Sequence, residues 1–397
     1  MRIARLVLTA SLFALAASPA FAGDIIALRS GKMQGNPRAG SPPAAGDFAG
    51  STWTVVEENL DFITYKLAGV SQRQKVPAST VAKVYHDPSS GPSEMIRALE
   101  AEGTGDFTSA RGLWERMKED PRPWAQAMGS FRAARTYWME GQPGEAANAL
   151  RTFQNTYKNS WYVPQAIQLS ARALQAQGKI AEARTAFASI KKLAGVSNAK
   201  KNEADYWITW IDERLARSKN DVAALKKALT GYQSLKGKLG GLSDPESKLL
   251  ATRCELGMSS CMVAMGDWEK AKSDLERIIS QSTDGLTLAG AHTLMGSALI
   301  KSNSKTHDKE IYRSALWNFL RVACLYGSAD GAEDYHSEAL YQAGQMFMEL
   351  RPTGATEKEK ETKKRWESYA RNEWRECQRL YPGSYWAKES LRASRSK

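Results

Sequence analysis

The chain has 397 residues, a net charge of +12, 25 % charged and 9 % aromatic residues, a balance under which most of it should fold. Its length suits two or more domains or one extended solenoid, and no stretch beyond the N-terminal leader is apolar for long enough to span a bilayer. The positive charge either favours anionic partners, such as lipid head groups, acidic glycans or acidic proteins, or serves solubility alone.

The first elements concern export. Arg2 and Arg5 precede an apolar run from Leu6 to Ala17, and Ala20-Phe21-Ala22 supplies small residues around a cut site. This order is that of a cleaved secretory signal peptide over residues 1–22, and the run falls short of the roughly 20 residues a membrane anchor requires. No Cys adjoins the cut, so a lipid anchor is not expected. The rest of the chain, carrying +10, is expected to be soluble in a bacterial periplasm or secreted.

Residues 23–86 read as short strands. Ile25, Ile26 and Leu28 lead to a turn at Ser30-Gly31-Lys32, and Thr52–Val56, Phe62–Tyr65, Val76-Pro77 and Val81–Tyr85 follow. Asn36 to Gly46 is rich in Pro and Gly, with Ser and Asn, and reads as a mobile loop. The region resembles a small SH3-like or Sm-like barrel; a β-rich arm that orders on the following domain is the alternative. Residues 87–92, Asp-Pro-Ser-Ser-Gly-Pro, read as an exposed linker.

From residue 93 to 397 apolar residues recur at helical spacing. Four segments share a template. Gly105, Gly141, Gly178 and Gly266 are each followed after five residues by Ala110, Ala146, Ala183 and Ala271. Four further on stand Trp114, Leu150, Phe187 and Leu275, then Met117, Phe153, Ile190 and Ile278. Twelve residues before each Ala is a small residue: Ala98, Ala134, Ala171 and Ser259. Small residues let two helices cross closely, Gly allows the turn between them, and the bulky residue fills the space to the next pair. Repeated at 36 and 37 residues from Gly105 to Gly178, with Tyr137 as the aromatic of a first helix, the pattern resembles the tetratricopeptide repeat. The expected fold is therefore mainly α, an α-solenoid of tetratricopeptide-like helix pairs behind a small β-barrel-like domain.

Between the third and fourth matches, Trp207 to Leu215 and Val222 to Tyr232 read as a pair with a degenerate turn at Ser218–Asp221. Further pairs are expected over 287–301 with 309–326, and 337–350 with 357–380. Tyr157–Tyr162 echoes Tyr381–Trp386, and the latter's Tyr-Pro-x-Ser turn before a helix resembles tetratricopeptide proteins of the bacterial envelope.

Chemistry-bearing motifs are sparse. His86, His292, His307 and His336 are not at metal-ligand spacing. Gly231 to Leu239 fails as a phosphate loop, with five residues between its glycines and Leu239 at the magnesium position. Cys254 and Cys261 stand two helical turns apart, about 10 Å, too far to pair with each other; they, Cys324 and Cys377 read as buried thiols, with an inter-helix disulfide the alternative. Glu357 to Arg365 reads as a solvated helical face, and Arg392 to Lys397 as a fraying basic tail. No catalytic residue, cofactor, metal or nucleic acid is expected.

The tetratricopeptide resemblance implies a concave surface lined by first helices. Its positions here are Met128, Phe131, Arg135 and Trp138, then Gln165, Gln168, Arg172 and Gln175. Arg135 and Arg172 each follow a small crossing residue, so they share one surface and suit a carboxylate. The expected function is a scaffold or adaptor that binds a protein or peptide, including an acidic or C-terminal segment, with an anionic envelope surface as a further partner. An enzyme or glycan-binding accessory protein of the envelope is the alternative.

Overall fold

The computed structural model describes residues 24–29, 33–34, 53–67, 70–354 and 356–395. The expected signal segment 1–22, the turn at Ser30–Lys32, the loop Asn36–Gly46 and the tail residues Ser396 and Lys397 lie outside the described residues.

Among the described residues, six strands come first: β1 (Ile25–Leu28), β2 (Met33–Gln34), β3 (Trp53–Glu58), β4 (Phe62–Leu67), β5 (Arg73–Pro77) and β6 (Val81–Tyr85). They form two three-stranded antiparallel sheets, ordered β2-β1-β6 and β3-β4-β5. Ile26, Val55, Ile63, Tyr65 and Val81 point between them as a small core, as alternation along half-buried strands requires. That core is completed from outside by Trp161 of the helical domain.

The helices follow as hairpins: α1 (Ser93–Thr104) with α2 (Phe107–Arg116), α3 (Pro123–Met139) with α4 (Pro143–Thr156), α5 (Val163–Ala176) with α6 (Ile180–Ile190), and α7 (Asn198–Ser218) with α8 (Val222–Leu239). Then come α9 (Pro245–Met265) with α10 (Trp268–Gln281), α11 (Gly285–Ser302) with α12 (Lys309–Leu325), α13 (Glu333–Leu350) with α14 (Glu357–Leu380), and a final α15 (Tyr385–Arg395). Side chains of Asp106, Ser197, Asp221, Asp244 and Asp284 accept N-terminal amide hydrogen bonds and set five helix starts.

The repeat template is visible in the backbone. Gly105, Gly141, Gly178 and Gly266 have φ of 81°, 75°, 77° and 92°, the left-handed region that glycine enters without a Cβ penalty. The four alanines after them are fully buried, as are the paired small residues and the bulky residues one turn on. In the degenerate turn the left-handed position falls to Asn220, φ 53°, the side chain that best tolerates it after glycine. The chain is an α-solenoid of tetratricopeptide-type helix pairs behind a small β-domain. Among the described residues, no helix is long and apolar enough to cross a membrane.

Of residues 87–92, expected as an exposed linker, Ser89 and Ser90 are exposed, but the segment is anchored at its start. His86 and Asp87 are buried, 6 % and 4 % exposed, and the Asp87 amide donates to Asp24 Oδ1 at 2.9 Å. The His86 ring stacks on Trp124 of α3 at 3.7 Å, nearly parallel, with Nε2 2.8 Å from Glu58 and Nδ1 3.5 Å from Asp24. Burial alone would lower the His86 pKa; the Glu58 and Asp24 carboxylates outweigh it and hold it up at about 10. The seam continues through the Leu60 amide to the Asn159 carbonyl at 3.0 Å, and Arg29 pairs with Glu246 at the start of α9. The β-domain is thus docked along the loops that enter α3, α5, α7 and α9.

The solenoid also closes on itself. Arg172 of α5 pairs with Asp330 and Glu333 at the start of the seventh hairpin. Arg214 of α7 pairs with Asp334 and Glu338, and Arg217 with Glu338 at 3.3 Å. At the far end Gly383 sits so close to the Ala176 carbonyl that a Cβ there would collide with it. All four cysteines are free thiols, and only Cys324 is exposed.

Candidate functional site

Two groups of cations lie on the first helices. Arg172 of α5 and Arg214 and Arg217 of α7 are taken up by the closure. Arg132 and Arg135 of α3, with Glu102 of α1 and Lys83 of β6 beside them, form the other, the mouth.

The mouth is built from long cationic side chains. Arg132 and Arg135 lie one turn apart on α3, fixed by the buried neighbours Ala133 and Ala134. Both reach Glu102 of α1, at 2.9 and 3.6 Å. That carboxylate also accepts from Trp114 Nε1 at 2.7 Å, so it is held in place and nearly buried. Lys83 of β6 faces the same two guanidinium groups. Its pKa is lowered, first by desolvation and then by Arg132 and Arg135. Arg135 is lowered likewise, by desolvation and by Arg132, against the opposing pull of Glu102 and Asp330. Two guanidinium groups therefore meet one carboxylate, with the Lys83 ammonium close enough to feel both of them. Such an excess of positive charge suits an incoming anion.

The sequence-predicted residues divide by environment. Arg135 is part of the mouth, with 39 % of its side chain exposed. Trp138 lies beneath the Arg172 guanidinium, 5.1 Å from its ring centre. Arg172 itself is not open to a partner. It is 8 % exposed and its counter-charges are Asp330 and Glu333 of the same chain. Burial opposes its charge, but these two carboxylates outweigh that and hold its pKa above the usual guanidinium value. The carboxylates on Arg172 come from its own chain.

Met128 is buried, not groove-lining. Gly129 brings α3 so close to the end of α2 that a Cβ there would lie 2.6 Å from the Trp114 carbonyl, and Met128 is enclosed with Trp114 and Trp124. Phe131 packs between Phe153 and Tyr162, at 5.9 and 5.3 Å between ring centres. Gln168 donates to Glu203 at 2.9 Å, Gln165 turns under the β-domain, and Gln175 is half-buried.

Sequence reasoning missed Lys83, Arg132 and Glu102. Arg132 carries a local signal, three residues before Arg135 on one helix face. Lys83 carries none, because only docking of the β-domain brings it there. Each histidine has a structural neighbour: His292 bonds Asn318, His307 the Tyr312 hydroxyl and His336 the Tyr381 hydroxyl. Among the described residues, no cluster of three His, Cys, Asp or Glu could hold a metal ion.

A tetratricopeptide repeat family model matches residues 254–283, the second half of α9 through α10, where the template residues Ser259, Gly266, Ala271 and Leu275 stand. No curated protein matches. Among solved structures, the chain is similar to the C-terminal part of a TPR repeat-containing protein from Cytophaga hutchinsonii, at 10 % identity and TM-score 0.36, covering 75 % of this chain and 98 % of that one. It is similar to the apo form of RapI at 12 % identity and TM-score 0.35, covering 75 % and 79 %. The TPR domain of P58(IPK) follows at 15 % identity and TM-score 0.26, covering 77 % and 97 %. With overlaps of this size, the reading of the solenoid rests on the chain's own helix geometry.

Proposed function

We propose that the chain is an exported, envelope-located scaffold that holds a protein partner by an acidic segment laid into the mouth between β6, α1 and α3. The observation that carries this reading is the excess of Lys83, Arg132 and Arg135 over Glu102. A helical-repeat scaffold supplies the rigid concave wall, and the docked β-domain supplies the second wall and one of the cations. A partner carboxylate gains charge-assisted hydrogen bonds there and relieves the repulsion among the three cations. Export rests on the signal-like segment 1–22, and a reporter fused after residue 22 that stays in the cytoplasm would count against it.

The binding test uses a fluorescent peptide containing a run of Glu and a matched peptide with Gln in its place. The Glu peptide should bind saturably and weaken as salt rises from low to physiological strength, where the screening length is about 8 Å. Charge reversal, Arg132→Glu with Arg135→Glu, should abolish binding while helical content stays. Equal binding of both peptides, or undiminished binding by the reversed protein, refutes the mouth as the site.

A further inference from the structure

The junction of α7, α9 and α13 holds three carboxylates for two guanidinium groups. Arg214 takes Asp334 and one oxygen of Glu338, and Arg217 takes the other oxygen of Glu338 at 3.3 Å. Glu213 is left over, and it is fully buried, 0 % exposed. Its Oε1 accepts from the Ser260 hydroxyl of α9 at 2.8 Å and stands 3.7 Å from Arg217 Nη1, beyond hydrogen-bond reach. Its Oε2 has no hydrogen-bond partner among the described residues.

The remaining groups around Glu213 do not supply the missing cation. Tyr206 comes from α7, Tyr232 from α8, Cys261 from α9 and Tyr335 from α13; burial raises the pKa of each, so all four stay neutral. Lys301 of α11 is exposed, with its ammonium 3.4 Å from the Val263 carbonyl, and its charge acts on Arg217 and Glu338. A buried carboxyl with a bare oxygen favours its neutral form. Burial pushes the Glu213 pKa up, and Arg217, Arg214 and the Ser260 hydroxyl do not cancel that. Asp334 competes for the same proton, but 34 % of its side chain faces water, which can carry its charge. The proton therefore falls to Glu213.

We propose that the closed arc is proton-linked: Glu213 gains a proton on mild acidification, and the neutral acid tightens the junction that ties α7 to α9 and α13. A carboxyl with a raised folded pKa holds its proton more tightly folded than unfolded. The junction is therefore tightest near the ordinary glutamate value, about 4.3, and weakens as pH climbs through the higher folded one. Glu338 stays charged there, because Arg217 and Arg214 outweigh its burial and hold its pKa down. The linkage does not depend on the acidic-segment reading, since no residue of the mouth enters this junction.

The test uses the full chain with ¹³C-labelled glutamate carboxyls, in which the Glu213 signal is the one lost in Glu213→Gln. Between about pH 4.5 and 8 that signal should titrate above the ordinary glutamate range. Urea unfolding over the same range reads the consequence: wild type should lose stability relative to Glu213→Gln as pH rises. Amide hydrogen exchange at Tyr335 to Glu338, corrected for its intrinsic pH dependence, should quicken over that range in wild type only. Ser260→Ala removes a bond that favours the ionised form, so it should move the titration to still higher pH; that displacement identifies the signal if Glu213→Gln does not fold. A Glu213 signal that stays in one protonation state across the range overturns the proposal. So does a stability difference between wild type and Glu213→Gln that is constant with pH, or a titration that Ser260→Ala leaves unmoved.

Discussion

Replacing His86 by Gln should remove a pH dependence of stability along with the stability itself. In the folded chain the imidazolium sits between Glu58 and Asp24 on the face of Trp124, and its pKa is raised from 6.5 to about 10. A group with a raised folded pKa stabilises fully below its unfolded pKa, and that contribution fades as pH climbs through the folded value. The window is therefore about pH 6.5 to 10, and the slope is about 1.4 kcal/mol per pH unit for one proton. Across the window the linkage amounts to about 4–5 kcal/mol, in line with about 3–5 kcal/mol for breaking a buried ion pair by removing one partner. Urea unfolding followed by tryptophan fluorescence and circular dichroism, at several pH values from 6 to 10, measures the difference between wild type and His86→Gln. The gap should be widest near pH 6 and shrink toward pH 10, where half of the wild-type imidazole has lost its proton. Parallel curves, with a constant gap at every pH, would refute a charged His86 at the seam.

Three other substitutions probe the fold. Gly383→Ala forces a Cβ against the Ala176 carbonyl and should open the closure, seen as a larger radius of gyration in solution scattering with helical content retained. Ala146→Leu and Ala183→Leu overpack crossings that are fully buried and should each lower stability by about 1–3 kcal/mol in chemical denaturation. Glu338→Gln removes a carboxylate that is 1 % exposed and shared by Arg214 and Arg217, and should cost about 3–5 kcal/mol by the same measurement.

What the sequence revealed was set by how locally each feature is encoded. The Gly–Ala–bulky template is local: a left-handed turn, a crossing and a filler lie within about one hairpin, so the four template turns could be read directly. The turn at Asn220 hides the same geometry under a different residue. Asp87 looked like linker because Pro, Ser and Gly surround it, yet its amide bonds Asp24, 63 positions away. Arg172 was recognisable as a carboxylate site, but not the source of its carboxylates, because Asp330 lies 158 positions on. Helix phase placed Met128 on the open face; Gly129 draws α2 over it. The mouth was half legible, through Arg135 on a periodic helix, and half dark, through Lys83 on a separate sheet.

Stacked hairpins that touch only their neighbours behave as a one-dimensional chain, in which units can be added or removed at modest, local cost. Arg172 on Asp330 and Gly383 on Ala176 break that rule, because the third hairpin touches the seventh and the turn beyond it. The number of hairpins then becomes a property of the whole object. A deletion of residues from 381 onward would loosen the third hairpin some 200 positions earlier in the chain, and inserting one hairpin in the middle would separate the two ends of the bridge. Unfolding should accordingly run as one cooperative step over hairpins three to seven, with the second hairpin tied to them through the docked β-domain at Trp124.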